Sequence, residues 1–457
     1  MGTAVREKLR IGLINPCGVQ QGRGLNSTPL YRYIPPQSLI QLKSVTPEEH
    51  EVTIIDENQV PLDWNQRFDL VGITGATVQI ARGYEIADQF RRRGIPVVMG
   101  GPHVTFMTEE ALLHCDSVVR READEIWAHV LEDAANGRLK RLYDPDLPEN
   151  LDFTIHQPVG RLFTIATPRP LPQPKIMMTQ PQRGCPYGCQ FCSVTAFNGT
   201  RVRQKSVGYV IEELKRARSR FVICTSDNIT VNRAYAKELF KALIPLRVSW
   251  LSQTDIHIAD DEETLDLAVR SGLKIVMIGF EDLDATTLGL SVGQAKKAWR
   301  ERYEPAIEKI HRRGIMIQGG FMFGLDHQTP DRAREAVEWA VRNKIAVGQF
   351  TLATPLPGTE LFRSLHESGR ILSQDWTQYS LSEHCVIRPT HGDAEMWESA
   401  LRKAYDDFYS FRSKLKRMDW RLSPLSQVLW WVMQSFRDAG PTRPWRGGRR
   451  IGPFLRR

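Results

Sequence analysis

The sequence predicts an α/β protein with two successive parallel-sheet units and a helical C-terminal region. Short β-rich apolar runs alternate with amphipathic helical patterns over two separate stretches, and that alternation is typical of parallel sheets. Between them, residues 141–181 hold eight of the 27 prolines and few periodic apolar positions. The expected division is residues 1–140 for the first α/β domain, 141–174 for a Pro-rich connector, 175–375 for the second α/β domain and 376–457 for the helical region.

The first domain is predicted to be a doubly wound parallel sheet. Its strand candidates are residues 9–15, 51–56, 69–74 and 95–101. Residues 79–93 form an amphipathic helical pattern, and a helix over 122–131 is expected to complete the unit. In such sheets, ligands bind in the crevice beyond the C-terminal ends of the strands.

The second domain is predicted to be a partial β/α barrel with six parallel strands. The strand candidates are residues 175–179, 221–225, 248–252, 274–279, 314–321 and 348–353. Helical patterns such as 210–217 and 332–342 separate them. Six strands indicate a barrel smaller than the eight-stranded one, with its chemistry at the C-terminal strand ends and the loops that follow.

The composition is that of an ordinary globular protein. The hydrophobic share is 41% and the charged share 25%, which excludes fibrous and wholly disordered classes. The formal charge of +8 is a mild excess of 61 basic over 53 acidic residues, and residues 441–457 carry six arginines and no acidic residue. This basic tail is the main candidate for contact with an anionic partner.

The sequence predicts a cytoplasmic protein. The N-terminus lacks the apolar stretch of a secretory signal, and no apolar run approaches the roughly 20 residues needed to cross a bilayer. An odd number of cysteines, four of them scattered singly, is a poor disulfide framework and indicates a reducing compartment. These four are Cys17, Cys115, Cys224 and Cys385.

Three cysteines lie within eight positions in the segment Arg-Gly-Cys-Pro-Tyr-Gly-Cys-Gln-Phe-Cys, residues 183–192. The segment follows the first predicted barrel strand, where a site is expected. A structural zinc site usually has a fourth Cys or His nearby, but the next cysteine, Cys224, lies 32 residues on inside a predicted strand. Three thiolates can instead hold an iron-sulfur cluster and leave one iron open to a ligand. A zinc knuckle or a chance cluster is the alternative.

The motif Cys-x-x-x-Cys-x-Phe-Cys resembles the signature of the radical S-adenosylmethionine (SAM) superfamily, over roughly residues 175–375. The resemblance implies a partial six-stranded barrel in which Cys185, Cys189 and Cys192 bind a 4Fe-4S cluster. The open iron then chelates the amino and carboxylate groups of SAM, and reduction cleaves SAM to methionine and a 5′-deoxyadenosyl radical. Phe191 is expected to pack near the adenine.

Further side chains at strand ends match the family's SAM-binding positions more loosely. Ser226, Asp227 and Asn228 stand where the family often has a Gly-Gly-Glu-like segment, and Gly279-Phe280-Glu281 matches a Gly-x-Glu strand ending. The expected SAM contacts are Ser226, Asp227, Asn228, Ser252, Gln253 and Glu281, with Asp255 as an additional candidate. Each of them also suits an ordinary strand-end turn or cap.

Three segments of the first domain are similar to the Rossmann-like cobalamin-binding domain that precedes some radical SAM domains: Asp-Leu-Val-Gly-Ile-Thr-Gly-Ala-Thr, Val-Val-Met-Gly-Gly-Pro-His-Val-Thr-Phe and Val-Val-Arg-Arg-Glu-Ala-Asp-Glu. Without that context the sheet equally suits a flavin or a nucleotide. The residues expected to contact cobalamin are Thr74, Thr77, Gly100, Gly101, His103 and Glu122.

The Asp-x-His-x-x-Gly motif for a lower histidine ligand is absent from this domain, and a similar string at residues 255–260 lacks the glycine. Cobalamin is therefore expected to bind without that histidine. Glycines let the backbone approach a bulky ligand, although Gly-Gly also suits a simple turn and His103 an ordinary loop. A structural domain that binds no cofactor is the alternative.

The C-terminal region is predicted to be helical. Residues 393–415 show one helical pattern, expected to cover the barrel mouth. Residues 425–433 are apolar but too short to span a membrane. With the basic tail, they suit either peripheral contact with the inner face of a membrane or a carrier protein, or a packed helix with a solvated tail. Nucleic acid is not expected, because no aromatic platform lies in a basic groove.

The resemblance implies a cobalamin-dependent radical SAM enzyme that methylates an unactivated carbon of a small-molecule or lipid-like substrate. An external electron donor such as flavodoxin or ferredoxin is then required. Cyclisation, ring contraction or oxidation without methyl transfer is an alternative within the same architecture. A cobalamin- or iron-sulfur-sensing module is the non-enzymatic alternative. No residue in the sequence identifies the substrate or the groups that act on it.

Overall fold

The computed structural model describes residues 8–20, 23–24, 36–153 and 176–437. Most of the predicted connector and the arginine-rich tail lie outside these ranges. Among the described residues, no helix has the length and apolar character needed to cross a membrane.

The first domain contains the predicted doubly wound sheet. Its strands, with a short hairpin after the first, are β1 Arg10–Asn15, β2 Val19–Gln20, β3 Arg23–Gly24, β4 Glu51–Asp56, β5 Leu70–Thr74, β6 Val97–Gly100, β7 Ser117–Val119 and β8 Leu142–Tyr143. Six of them form a parallel sheet in the order β4-β1-β5-β6-β7-β8. Helices cover both faces, so apolar side chains along β1 and β5 are buried on either side. The strand order reverses between β1 and β5, where such folds bind ligands.

The helices of this domain are α1 Gln37–Ser44, α2 Ile80–Arg92, α3 Pro102–Phe106, α4 Thr108–His114 and α5 Trp127–Ala135. The helix predicted over residues 122–131 begins only at Trp127. Arg121 has a φ of 57°, which breaks the regular backbone before it. Glu122 is thereby left in the loop after β7, close to the second domain.

The second domain contains the predicted six-stranded barrel. Its strands and one small hairpin are β9 Ile176–Thr179, β10 Gln182–Arg183, β11 Arg203–Gln204, β12 Phe221–Cys224, β13 Ser249–Thr254, β14 Leu273–Glu281, β15 Met316–Phe323 and β16 Val347–Leu352. The parallel sheet has the order β9-β12-β13-β14-β15-β16, so the neighbours follow the chain. The antiparallel pair β10 and β11 lies outside this sheet.

Helices between the strands pack around the barrel. They are α6 Ser193–Asn198, α7 Val207–Ala217, α8 Arg233–Leu243, α9 Glu262–Arg270, α10 Ala285–Thr287, α11 Gln294–Lys297, α12 Tyr303–Arg312, α13 Asp331–Arg342 and α14 Glu360–Glu367. Several begin at a polar cap: the side chains of Ser206, Asn232 and Asp261 accept backbone N–H groups of α7, α8 and α9.

Three helices follow the barrel: α15 Ala394–Phe408, α16 Phe411–Arg417 and α17 Pro424–Arg437. The single helix predicted over residues 393–415 is divided, because Ser410 caps α16 by accepting the Ser413 N–H. Helix α15 lies along the edge strand β16. The Tyr405 hydroxyl bonds both the N–H and the C=O of Phe350, and the Tyr409 hydroxyl bonds both groups of Gly348. These hydroxyls occupy the bonding positions of a further strand.

A cover over the barrel mouth is predicted for residues 393–415 only, and it stays a prediction. The segment that follows packs elsewhere on the barrel. Met418, Leu422 and Trp430 pack against Ile275, Met316 and Ala346, which lie at the N-terminal ends of the last three strands. Helix α17 therefore covers the end of the barrel opposite the site. The helix buries the apolar side chains at that end of the sheet.

Candidate active site at the facing strand ends

The cysteine loop is closed at its base by backbone contacts. Gln182 and Arg183 of β10 pair with Gln204 and Arg203 of β11. Gly184 has a φ of 96°, and a Cβ there would lie 2.2 Å from the Arg201 carbonyl oxygen. Only glycine fits this close approach without a shift of the backbone. The loop is therefore held as one unit between two short strands.

The three cysteines are partly exposed free thiols. The Cys192 N–H donates to the Cys189 carbonyl, 3.0 Å, which turns the loop tightly. Burial raises the pKa of all three thiols, so metal binding must displace their protons. Among the described residues, no three His, Cys, Asp or Glu side chains converge as they would on one ion. In a 4Fe-4S cluster each cysteine binds a different iron, so three cysteines that hold a cluster need not converge on one point.

Asp227 supports the cysteine loop from the barrel side. Its Oδ2 accepts the Gly184 N–H at 2.7 Å and the Asn198 Nδ2 at 3.0 Å. Burial raises the pKa of this carboxyl. Both bonds are made to the loop and the helix behind it. The expected contact of Asp227 with SAM stays a prediction.

Asp255 fixes the middle of the same loop. It accepts hydrogen bonds from the Tyr187 hydroxyl at 2.6 Å, from Asn228 Nδ2 at 2.7 Å and from His257 Nδ1 at 2.9 Å. Burial raises the pKa of Asp255, but the hydrogen bonds from His257, Tyr187 and Asn228 outweigh it and hold that pKa below its ordinary value. Tyr187 stands between Cys185 and Cys189, so the position of the loop depends on this carboxylate. The role of Asn228 in the structure is to support it.

Ser226 is the predicted SAM residue with spare hydrogen-bonding capacity. Its side chain is 1% exposed, and its Oγ has no hydrogen-bond partner within the described part of the chain. Buried polar groups without partners are rare and often mark ligand sites. The Ser252 Oγ instead donates to the Cys224 carbonyl at 2.9 Å, whereas the Gln253 side chain is exposed.

Glu281 pairs with a lysine that the motifs did not indicate. Lys296 of α11 donates to Glu281 Oε1 at 3.0 Å and to the Gly279 carbonyl at 3.1 Å. Although burial opposes the charge of Lys296, Glu281 raises the pKa of this lysine above its ordinary value. Glu281 has a φ of 63° at an irregularity of β14. The sequence offered no signal for Lys296, which lies 15 positions away on a separate helix.

Phe191 and its neighbour fix the last part of the loop. Phe191 is partly buried against the barrel core. The Leu361 N–H at the start of α14 donates to the Gln190 carbonyl at 2.9 Å. The loop therefore contacts the segment after the last strand as well as the first. The expected adenine contact of Phe191 stays a prediction.

A cavity of about 360 Å³ lies where the two domains meet. Its wall includes Thr74, Gly100, Gly101 and Glu122 from the first domain, with Gln180 and Asn198 from the second. Gly101 has a φ of 102°, and a Cβ there would lie 2.8 Å from the Thr74 Oγ1. The glycine pair thus leaves a backbone edge open to a ligand. These lining residues fit the predicted cobalamin side.

Glu122 also joins the two domains. Its carboxylate accepts hydrogen bonds from Arg203 and from Arg183 Nη1, the latter at 2.5 Å, and all three side chains are less than 10% exposed. Asp124 binds the same Arg183 at 2.9 Å. Because Arg183 directly precedes the cysteine loop, this network ties the loop to the strand ends of the first domain.

His103 and Thr77 are not among the described residues that line the cavity. His103 is 1% exposed, its Nε2 lies 3.4 Å from Glu110 Oε1, and its ring packs edge-on against Trp376. Trp376 follows the barrel and donates its Nε1–H to the same Glu110 at 3.0 Å. This packing accounts for the position of His103, and its expected contact with cobalamin stays a prediction.

The thiol loop follows the first strand of one parallel domain, and its base at Arg183 shares a cavity with the strand ends of the other. This arrangement is that of a two-domain enzyme with a cofactor site in each domain. The sequence profile of the radical SAM superfamily matches residues 179–340, and that of the B12 binding domain matches residues 32–131.

Three relatives extend the match over most of the chain. Bacteriochlorophyllide d C-8(2)-methyltransferase of Chlorobaculum tepidum is 30% identical over 86% of this chain and 88% of its own length. Hopanoid C-2 methylase of Rhodopseudomonas palustris is 24% identical over 86% and 74%. Anaerobic magnesium-protoporphyrin IX monomethyl ester cyclase of Rubrivivax gelatinosus is 27% identical over 68% and 60%.

The radical SAM methyltransferase TsrM of Kitasatospora setae, solved with cobalamin and a 4Fe-4S cluster bound, has the same fold. It aligns over 78% of both chains with a TM-score of 0.61 and 20% identity. The chain belongs to the radical SAM superfamily, in the group of methyltransferases that carry an N-terminal B12 binding domain. It is an enzyme whose cofactors are a 4Fe-4S cluster, SAM and cobalamin.

Proposed function

We propose that the protein methylates an unactivated carbon of a tetrapyrrole or of a similarly rigid, lipid-like small molecule. The observation that carries this proposal is the cavity shared by the two sets of strand ends, since one substrate carbon must reach both cofactors. When bound, the cluster and SAM supply the radical that removes a hydrogen atom, and cobalamin supplies the methyl group.

The residues of the chain position these components. We assign cluster binding to Cys185, Cys189 and Cys192, with Asp227 and Asp255 holding their loop. Ser226 supplies a buried hydroxyl for a polar group of SAM. On the opposite side, Gly100 and Gly101 leave a backbone edge for cobalamin.

The distance between the two cofactor sides is set by the ion pairs of Glu122 with Arg183 and Arg203. Such a network keeps the reacting groups at a fixed separation, which is the condition for efficient transfer between bound partners. It also fills the boundary between the domains with paired side chains and thereby limits the entry of water.

The relatives support tetrapyrroles as the first substrates to test. One of the three is named for bacteriochlorophyllide d and one for magnesium-protoporphyrin IX monomethyl ester, both tetrapyrroles, and the third is named for a hopanoid. The cyclase among them is the observation that favours the second candidate, a radical reaction without methyl transfer.

The test uses anaerobically reconstituted holoenzyme, SAM with a deuterated methyl group, a chemical reductant and bacteriochlorophyllide d as the probe. We expect a product that gains one deuterated methyl group and forms together with 5′-deoxyadenosine. A product with an unchanged carbon count would contradict methyl transfer and support cyclisation or oxidation. Absence of reductive SAM cleavage with this probe would contradict bacteriochlorophyllide d as a substrate.

The cytoplasmic location, the external electron donor and the contact of the C-terminal region with a membrane surface or carrier protein stay predictions. Replacing the chemical reductant by reduced flavodoxin or ferredoxin tests the second of these. Turnover with the protein donor at a rate comparable to that with the chemical reductant is the expected result.

A further inference from the structure

Helix α17 buries Trp430 against the barrel together with two polar side chains, and it also carries apolar side chains on its outer face. Ser426, Trp430 and Gln434 are each 1% exposed, whereas Leu425 is 54%, Val428 61% and Val432 41% exposed. A surface helix of a globular protein normally places polar side chains on its outer face. The exposed apolar face therefore requires a physical reason.

Gln434 points inward because it binds a buried arginine. Arg417 is 0% exposed and donates to the carbonyls of Ile345, Ala346 and Phe408, and to the Gln434 Oε1 at 3.0 Å. Gln434 Nε2 in turn donates to the Ala346 carbonyl at 2.9 Å. Rotating α17 to bury Val428 would break these bonds inside the protein, which costs more than the exposed apolar surface. The helix is fixed with its apolar face outward.

The exposed apolar residues of this region form what we call the C-terminal apolar surface. Its members, all at least 40% exposed, are Phe411, Leu415, Trp420, Leu425, Val428, Trp431 and Val432. Large apolar surfaces of this kind are uncommon on proteins without a partner. Two of the seven are tryptophans, which favour the boundary between hydrocarbon and water.

The positive charge of the whole protein is concentrated in the same region. Residues 410–457 contain twelve Lys or Arg and two Asp or Glu, a formal charge of +10, while the rest of the chain has −2. Arg412, Lys416 and Arg421 are exposed beside the apolar residues. The partner of this surface must therefore be both apolar and anionic.

We infer that the C-terminal apolar surface docks on an anionic lipid bilayer, with α17 lying in the plane of the interface. Leu425, Val428 and Val432 enter the acyl boundary, and the basic residues meet the phosphate head groups. An acidic protein has less apolar surface to bury these aliphatic side chains, and a nucleic acid backbone has none. Because α17 covers the barrel end opposite the cysteine loop, docking leaves the cofactor side facing away from the membrane. This inference does not rest on methyl transfer.

The test is co-sedimentation of the full-length holoenzyme with vesicles of phosphatidylcholine alone and vesicles that also contain phosphatidylglycerol. We expect binding only to the second kind, weakened by salt. Val428→Glu should weaken binding by about tenfold or more, and Lys416→Gln by about fivefold. Leu113→Glu is the matched control, because Leu113 is an apolar side chain 73% exposed in the first domain, and it should bind like the wild type.

Reductive SAM cleavage should be unchanged in all three variants, which shows that they fold. Equal vesicle binding by wild type and Val428→Glu overturns the inference, as does absence of binding to anionic vesicles. A dimer in light scattering that Val428→Glu separates would assign the surface to a second copy instead. Binding of an acidic carrier protein, but not of vesicles, would assign it to a protein partner.

Discussion

The base of the cysteine loop, at Arg183, and the strand ends of the first domain line the same cavity but are specified in different ways. The loop contains its three predicted metal ligands within eight positions and is held by Gly184, Asp227 and Asp255 around it. The opposite side presents a backbone edge at Gly100 and Gly101 together with many side chains, several of them apolar, such as Val98 and Trp127. A metal cluster requires specific donor atoms, whereas a large organic cofactor requires space and shape. Substitutions should therefore act through ligand chemistry on one side and through geometry on the other.

The largest effect is expected for Cys185→Ala. Loss of one thiolate leaves two ligands for the cluster, so bound iron and reductive SAM cleavage should both be abolished while cobalamin binding is kept. Iron content, 5′-deoxyadenosine formation and cobalamin absorbance measure the three properties.

Cys385→Ala is the matched control, since Cys385 is a buried free thiol far along the chain. It should keep the iron. A Cys185→Ala protein with normal iron content would show that the loop is not the cluster site. The contrast between a side specified by ligand chemistry and a side specified by geometry would then be wrong.

Glu122→Gln tests the connection between the two sides. It leaves Arg183 and Arg203 buried without a carboxylate that both can share, and breaking a buried charge pair typically costs about 3–5 kcal/mol. We expect a clear loss of thermal stability, measured by calorimetry, and weaker cobalamin binding with the iron retained.

The comparison for this variant is Glu149→Gln, which removes the exposed ion pair with Arg201. Exposed pairs contribute little, so its melting temperature should equal that of the wild type. Equal melting of Glu122→Gln and wild type would mean that the buried network does not hold the domains together.

Gly101→Ala tests the geometric side alone. The new Cβ would contact Thr74 Oγ1. The backbone at φ 102° and ψ 179° lies in a region that essentially only glycine adopts, which adds about 1–3 kcal/mol of strain. Cobalamin affinity should fall by about tenfold, with iron content unchanged, as measured by titration of the apoprotein.

Gly94→Ala has a similar positive φ of 73° but nothing within 4 Å of the new Cβ. It therefore introduces strain from a positive φ without blocking the cavity wall. An equal loss of cobalamin affinity in both variants would mean that backbone strain, and not contact of the new Cβ with the cavity wall, weakens binding.

The smallest effect is expected on the pH dependence of stability, through Glu110 and its contacts with His103 and Trp376. Burial raises the pKa of Glu110, but hydrogen bonds from His103 and Trp376 contribute to holding it below its ordinary value. A depressed pKa stabilises the folded state above the unfolded value of about 4.3, and this stabilisation is lost as the pH falls through the folded value.

Glu110→Gln should therefore be less stable than the wild type near neutral pH, and the difference should shrink in acid. Denaturant unfolding at several pH values measures it. Glu109→Gln, at the exposed neighbouring position, should differ from the wild type at no pH. A Glu110→Gln deficit that grows in acid would show that the sign is wrong.

Both parallel sheets could be predicted from sequence, because buried strands are continuous apolar runs. The residues 51–56 predicted as a strand are those of β4, and residues 221–225 differ from β12 by one position. The three cysteines are predictable for a different reason: their spacing is local. The roles of Lys296 and Glu122 could not be predicted. Each depends on a partner, Glu281 or Arg183, that only the fold brings close.

The orientation of α17 shows the limit of the periodicity argument. Its apolar pattern also allows burial of Leu425 and Val428, but Gln434 binds Arg417 and the Ala346 carbonyl, and Trp430 packs on the barrel core. His103 is a similar case, since Trp376 lies far away in the sequence. No pattern along the chain contains such information.

The tyrosine hydroxyls along β16 affect how the barrel sheet ends. A sheet edge normally must recruit another strand or risk pairing with a neighbouring molecule. Here Tyr405 and Tyr409 satisfy the backbone of the edge with side chains alone. The six-stranded sheet can therefore end at β16 with no seventh strand, and this edge has less tendency to pair with a neighbouring molecule.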